Sequence, residues 1–157
     1  MVIRMNEKAQ QYWDEFWKNK DQPTFVKAEQ FGMEYTEMAD ELARLIIEGK
    51  KTATCSNYES YLRENEPLPA VGSYSIILNS QDEPVAIIKT TEVEVTPMNE
   101  VTPEFAAAEG EGDLSYEYWW EGHKFFFTKE LAEYGKEFSE DMLLVCERFE
   151  LVDSKLS

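Results

Sequence analysis

The sequence predicts an α+β fold, and three observations support it. Two helical patterns occupy the first third of the chain, two β-branched runs separated by a turn-like segment occupy the middle, and helix-start signals followed by an apolar run occupy the end. The chain has 157 residues, which fits one domain with a single hydrophobic core. We therefore expect residues 1–157 to form one domain that mixes helices and strands.

The first predicted element is an N-terminal helix over about residues 6–19. Asn6 can cap its start, because its side-chain oxygen can accept a hydrogen bond from a backbone N–H of the first turn. Aromatic residues fall on one side of this helix at helical spacing. They are Tyr12, Trp13, Phe16 and Trp17. We expect this aromatic stripe to pack on the core, and we expect a loop through Pro23 to follow it.

A second helix is predicted from apolar residues at helical spacing, namely Met38, Leu42, Leu45 and Ile46. Gly49 follows them and can adopt the left-handed backbone that commonly ends a helix. The segment GKKTAT therefore stands at a helix exit and leads toward the sheet. The next stretch, NYESYLRENEPLPAVG, is polar and carries prolines, so we expect a loop there.

The rest of the chain predicts a hairpin, two helices and a closing strand. The hairpin strands are residues 74–78 and 85–95, which are apolar and β-branched and enclose the turn-like NSQDEP. Thr102 followed by proline is a good helix cap with a good first helical residue, and a later helix runs from near Ser115 toward Gly135. The run MLLVCERFELV near the C-terminus is predicted to be a partly buried strand.

The charge of the chain restricts its partners. It has 32 acidic and 15 basic residues, a net charge of −17, so its mean field repels polyanions and anionic membrane surfaces. Arg63 is the only basic residue between Lys51 and Lys89, which argues against a long track for nucleic acid. We therefore expect a nucleoside or a short single-stranded RNA as partner, with no duplex DNA and no membrane.

The cysteines and the N-terminus indicate the compartment. Cys55 and Cys146 form no CxxC pair, and His123 is the only histidine, so the sequence suggests neither a zinc site nor a disulfide framework. The first twenty residues carry charges every few positions and have no apolar segment of the kind that targets or spans a membrane. We expect a cytoplasmic protein without a metal or cofactor.

The segment GKKTAT is the first candidate for chemistry. A phosphate-binding loop is excluded, because Arg44 stands where that motif needs its first glycine and a helix precedes the segment. What remains is the pattern G-x-K-x-x-T, formed by Gly49, Lys51 and Thr54. A threonine is a nucleophile only when a base takes its proton, and a lysine is such a base only with a lowered pKa. On these residues alone, lysines that complement the helix C-terminus are the favoured interpretation.

A second candidate is the segment AAAEGEGD. Glu109, Glu111 and Asp113 alternate with glycines, which permit close backbone approach or unusual dihedral angles. Carboxylates on such a turn can be general acids, and they can equally be solvated caps of the following helix. His123 lies in an aromatic segment just beyond, where a structural histidine is the more common case.

The sequence resembles the ASCH family, whose proteins look like the PUA domains of RNA-modifying enzymes. The resemblance covers nearly the whole chain and rests on five ordered segments. They are LARLIIEGKKTAT, LPAVGSYSIIL, PVAIIKTTEVEV, FAAAEGEGDLSYEYWWEGHKFFF and LLVCERFELV. It implies a PUA-like small β-barrel with flanking helices and a cleft near the G-x-K-x-x-T turn, where members bind RNA or nucleoside-like ligands.

The resemblance also implies activities and residues. One branch removes the acyl group of acetylated cytidine with a lysine, a threonine and a glutamate. These correspond here to Lys51, Thr54 and Glu111, with Glu109 as the other candidate for the glutamate. Another branch consists of ribonucleases that need no metal. The deacylase branch has an arginine two residues after its threonine, where this chain has Ser56.

Three hypotheses therefore remain: an amidohydrolase, a metal-independent ribonuclease and a binding module without activity. In the amidohydrolase, Thr54 is the nucleophile, Lys51 the base or electrostatic anchor, and Glu111 the proton donor. Further ligand contacts are expected from Lys50, Ser56, Tyr58, Tyr61, Arg63 and Trp120, through aromatic stacking on a base and positive charge near phosphate. Lys51 is expected at the surface, so Lys51→Met should change the free energy of unfolding by less than about 1 kcal/mol.

Overall fold

The computed structural model describes residues 5–23, 26–29, 31 and 36–155. Five α-helices are described: α1 (Glu7–Phe16), α2 (Thr36–Ile47), α3 (Tyr58–Glu64), α4 (Pro103–Ala108) and α5 (Tyr116–Glu133). The strands are β1 (Val26–Glu29), β2 (Ala53–Asn57), β3 (Tyr74–Leu78), β4 (Pro84–Pro97) and β5 (Leu143–Ser154). The predicted α+β class is confirmed. None of the described helices is both long and apolar enough to cross a membrane.

The five strands form one open sheet in the order β1-β3-β4-β5-β2. β1 pairs with β3 in parallel, and the other neighbours are antiparallel, including the predicted hairpin of β3 and β4. Register shifts between β4 and β5 mark bulges, which bend strands and increase their twist. The resemblance implied a closed barrel, but β1 and β2 are the two edges of this sheet and share no pairing within the described residues.

Helices cover both faces of the sheet. Successive strand residues point to opposite faces, so Ile76 and Leu78 pack with Trp13 of α1, whereas Ile77 between them packs with Ile46 of α2. The predicted aromatic stripe of α1 does contribute to this core, and Asn6 caps the helix by accepting from the Ala9 N–H at 2.8 Å. A third cluster joins α4 and α5 to β2 and β5.

Two elements lie where loops were expected. β1 follows Pro23, and α3 occupies the start of the polar segment after β2. Asn57 caps α3 by accepting from the Glu59 N–H at 3.0 Å, and Asn65 ends it with a left-handed backbone at φ 53°. The loop prediction was wrong because α3 buries only Ser60 and Tyr61, so its seven residues carry almost no apolar periodicity.

Candidate functional site

The GKKTAT segment turns sharply out of α2, as its glycine predicts. Gly49 has φ +77°, and its N–H donates to the Ile46 carbonyl at 3.0 Å. The next N–H, that of Lys50, reaches back to the Leu45 carbonyl at 2.9 Å, which completes the hydrogen bonding of a Schellman motif. The chain then continues into β2, and Lys51 lies in the turn between the two elements.

Lys51 points inward, contrary to the expected surface position, and is only 1% exposed. Its ammonium donates to the Ala53 carbonyl at 2.9 Å, to Glu111 Oε2 at 3.0 Å and to Glu109 Oε1 at 3.3 Å. An ammonium has three donors, and these partners account for them. Burial by itself would lower the pKa of Lys51, but the carboxylates of Glu109 and Glu111 outweigh burial and raise that pKa above its usual value. Lys51 is therefore a stable cation at neutral pH and not a resting base.

Glu109 is the buried centre of the charged cluster. Its Oε2 accepts from the indole N–H of Trp119 at 2.5 Å and lies 3.4 Å from His123 Nε2. Burial opposes ionisation, but His123 and Lys51 outweigh it and lower the pKa of Glu109 to about 2. Burial likewise opposes the charge on His123, but Glu109 raises the pKa of that imidazole. His123, expected to be structural, thus belongs to an ionised network.

The turn that carries these glutamates docks directly on the GKKT backbone. Gly110 has φ +74°, and a Cβ built there would lie 2.2 Å from the Lys50 carbonyl oxygen and 2.9 Å from the Lys51 Cα. The N–H of Thr52 donates to the Ala108 carbonyl at 2.8 Å beside this contact. The close backbone approach that the glycines permit is therefore present, and it places both glutamates over Lys51.

A cleft of about 220 Å³ follows the edge strand β2, and Lys51, Thr54 and Glu111 all line it. Glu109 lines it as well, but its side chain is only 2% exposed, whereas that of Glu111 is 22% exposed. Glu111 is thus the more accessible of the two carboxylates beside Lys51. No side-chain hydrogen bond of Thr54 is present within the described part of the chain.

Strand alternation divides the residues of β2 between its two faces. Thr54 and Ser56 point to one face, and Cys55 and Asn57 point to the other, so the cleft is lined from both sides of the edge strand. Ser56 Oγ lies 2.9 Å from the Tyr61 hydroxyl, and both residues line the cleft. These two predicted ligand contacts are therefore at the cleft.

A family model for the ASCH domain matches residues 27–153. The chain belongs to the ASCH family. The crystal structure of protein EF3133 from Enterococcus faecalis V583 is similar, with a TM-score of 0.86, 44% identity and coverage of 96% of this chain and 91% of that one. An ASCH domain from Lactobacillus crispatus JV V101 has a TM-score of 0.88, 36% identity and coverage of 94% and 95%. Among curated proteins, none matches.

Four of the predicted ligand contacts of this ASCH domain do not line the cleft: Lys50, Tyr58, Arg63 and Trp120. Lys50 is exposed and pairs with Glu48 at 3.1 Å, and Arg63 pairs with Glu59 at 3.2 Å. Trp120 packs edge-on against Phe138 and borders a separate shallow depression. The positive charges expected to meet phosphate are therefore neutralised elsewhere on the surface.

The ASCH cleft is strongly acidic, which the order of residues did not reveal. Seven glutamates line it: Glu29, Glu64, Glu66, Glu109, Glu111, Glu130 and Glu147. Among the described lining residues, only Lys51 and His123 can carry positive charge, and both already contact Glu109. These glutamates come from β1, α3, α5, β5 and connecting segments, so no local sequence pattern groups them.

One group of described residues has donor atoms close enough for a metal ion. A Cys55 sulfur, a Glu109 oxygen and a His123 ring nitrogen lie within 4.8 Å of one another. Both oxygens of Glu109 are already used, however, by Lys51 and Trp119. Burial also raises the pKa of the Cys55 thiol well above its usual value, which disfavours the thiolate that a metal binds. The expectation of a site without metal remains a prediction.

Proposed function

We propose that this ASCH protein is a hydrolase that removes the acyl group from an N-acylated cytidine-type nucleoside without phosphate. The observation that carries the proposal is the cleft shared by Lys51, Thr54 and Glu111, inside a lining of seven glutamates. A helix cap would not require that residues distant in sequence share one cleft, whereas a catalytic site does. The ASCH family is related to RNA binding, so a base or nucleoside is a natural ligand class.

The proposed roles follow from the geometry. Thr54 lines the cleft, and its hydroxyl is the proposed nucleophile that attacks the acyl carbon. Lys51, held as an ammonium by two carboxylates, is the electrostatic anchor for negative charge that develops on the acyl oxygen. Glu111 was expected to donate a proton, but its Oε2 accepts a hydrogen bond from the Lys51 ammonium at 3.0 Å, so its proposed role is to position Lys51.

Replacement of Thr54 by Val is expected to abolish hydrolysis of N-acetylcytidine, because Val keeps the shape of the side chain and removes its oxygen. The measurement is chromatographic detection of released acetate and cytidine. Thr52→Val is the matched control, since Thr52 is exposed and does not line the cleft. A ribonuclease that uses the 2′-hydroxyl of RNA would instead retain strand cleavage in Thr54→Val and leave cyclic phosphate ends.

The acidic lining also predicts discrimination against phosphate. Isothermal titration of the Thr54→Val variant should show N-acetylcytidine binding at least roughly tenfold more tightly than its monophosphate, a difference of about 1.4 kcal/mol. The carboxylates repel the phosphate, and added salt should narrow the gap by screening. Tighter binding of the phosphorylated ligand, or of single-stranded RNA, would favour the ribonuclease or the binding module.

A further inference from the structure

The proposed hydrolysis lacks a base. A threonine hydroxyl must lose its proton as it attacks, and the residue expected to take that proton, Lys51, is already a cation. Glu111 and Glu109 are both engaged by that cation. Any base for Thr54 must therefore come from another element that faces the same side of β2.

We infer that Glu147 of β5 is the general base for Thr54, and that Thr54 and Glu147 form a catalytic pair across two neighbouring strands. The inference rests on the proposed function and adds to it a residue that no pattern in the sequence indicates. Glu147 is the direct cross-strand partner of Thr54 in the antiparallel pairing of β2 with β5. Directly opposed residues have side chains on the same face, with Cβ atoms roughly 5 Å apart.

Burial and access suit this role. Glu147 is 6% exposed, yet both it and Thr54 line the cleft, so both border the space that a ligand would occupy. The Glu147 carboxyl accepts a hydrogen bond at its Oε1 from the hydroxyl of Thr90 on β4, at 3.4 Å. This long hydrogen bond is the only one of the Glu147 side chain within the described residues, so its Oε2 accepts none. The Thr54 hydroxyl makes none either, and the strand register alone places the two side chains on one face.

Burial, together with the charged groups around Glu147, places the pKa of this carboxyl near neutral pH. Burial is the largest influence and Glu29 of β1 the next; together they raise the pKa of Glu147 to about 7, against Lys27 and the Thr90 hydrogen bond. Tyr61 of α3 also faces this group. Glu29 is itself buried, with its Oε2 3.3 Å from Lys27 Nζ. A base whose pKa lies near the working pH gives the most effective proton transfer.

The reaction balances with these residues alone. The Glu147 carboxylate takes the Thr54 proton while Thr54 Oγ1 bonds to the acyl carbon, and the carbon–nitrogen bond then breaks with its electron pair on nitrogen. Glu147 returns the proton to that nitrogen, which leaves as the free amino group of the nucleoside. Water next attacks the threonine ester, Glu147 moves one water proton to Thr54 Oγ1, and a carboxylic acid departs.

The first test is Glu147→Gln with N-acetylcytidine as substrate. We expect kcat to fall by roughly a hundredfold or more with little change in KM, as for loss of a general base. In the wild type, kcat/KM should rise with pH through about 7, because Glu147 must be ionised in the free enzyme, and this rising limb of the pH profile should vanish in the variant. Glu150→Gln is the control, since Glu150 is exposed on the same strand. Equal rates in wild type and Glu147→Gln would overturn the inference.

A second variant keeps Glu147 intact in case Glu147→Gln does not fold. Glu29→Gln removes a negative charge that raises the pKa of Glu147, so the rising limb should move to lower pH while turnover persists. A purely structural role of these residues would not shift that limb. A limb at the same pH in Glu29→Gln and the wild type would contradict Glu147 as the titrating base.

A third measurement separates this inference from the choice of substrate. Protein treated with p-nitrophenyl acetate is digested, and acetylation of Thr54 is measured by mass spectrometry. Glu147-dependent acetylation without turnover of N-acetylcytidine would support the Thr54–Glu147 pair and refute the proposed substrate. Turnover of N-acetylcytidine at the same rate in the wild type and in Glu147→Gln would support the proposed substrate and refute the Thr54–Glu147 pair. Absence of both acetylation and turnover in the wild type would overturn both.

Discussion

Lys51→Met is expected to reduce the free energy of unfolding by roughly 3–5 kcal/mol, the usual effect of removing one partner from a buried ion pair. The methionine leaves Glu109, which is only 1% exposed, with His123 as its remaining cationic partner, and it removes the ion pair of Glu111. Urea denaturation of both proteins at neutral pH measures the change. This expected loss replaces the change of less than about 1 kcal/mol that was expected for a lysine at the surface.

The neighbouring residue supplies the control. Lys50→Met removes the same charge and adds the same side chain, but Lys50 is exposed and its ion pair with Glu48 is solvated. Its unfolding midpoint should stay close to that of the wild type. Equal midpoints for Lys50→Met and Lys51→Met would show that the buried cluster contributes little to stability.

Acid should reduce the penalty of Lys51→Met. In the wild type the pKa of Glu109 is lowered from 4.5 to about 2, so its ionisation stabilises the fold above pH 4.5, and that contribution is lost as pH falls toward 2. Without Lys51, the Glu109 carboxylate gains less from ionisation, because His123 is its remaining cationic partner, and protonation removes the poorly compensated charge. The two stability curves should therefore converge as the solution is acidified.

Gly110→Ala is expected to be the most damaging small substitution, because its Cβ would meet backbone on the facing segment. The nearest atoms are the oxygen and carbon of the Lys50 carbonyl, at 2.2 Å and 2.6 Å, and the Lys51 Cα at 2.9 Å, and these backbone atoms cannot rotate away as a side chain could. We expect a loss at least about 2 kcal/mol larger than the strain of a left-handed alanine alone, together with loss of nucleoside binding.

Gly135→Ala is the control that measures the strain of a left-handed alanine by itself. Gly135 has φ +73°, almost the same as Gly110 at +74°, but a Cβ there meets nothing within 4 Å. The difference between the two variants in unfolding free energy therefore measures the backbone contact alone. If the two alanine variants were equally stable, the docking of the glutamate turn on GKKT would be looser than the structure indicates.

Local signals in the sequence predicted most of the fold. Ser115 caps α5, Thr102 caps α4 with proline at its first position, and Gly49 ends α2, each through hydrogen bonds made within a few residues. The open sheet was harder to predict, because closure depends on whether β1 meets β2, and neither strand encodes that pairing locally.

The site was only partly predictable for the same reason. Lys51, Thr54 and Glu111 could be named from short patterns and a family resemblance, but the burial of Lys51 could not, because lysines are rarely buried. Glu147 was missed since its relation to Thr54 exists only through the register of β2 on β5. Acidic residues from four separate helices and strands and from two connecting segments likewise become neighbours only after folding.

The position of β2 at the edge of the sheet has a consequence for its motion. An edge strand is hydrogen-bonded along one side only, so β2 should be among the first parts of the sheet to open in hydrogen exchange. Its second attachment is the Lys51 ammonium, bound to the α4–α5 turn through Glu109 and Glu111 and to β2 itself through the Ala53 carbonyl. The buried ammonium that lines the cleft thus also attaches the strand that carries Thr54 to the α4–α5 turn. The amides of β2 should therefore exchange more slowly when a ligand occupies the cleft, and faster when the cleft is empty.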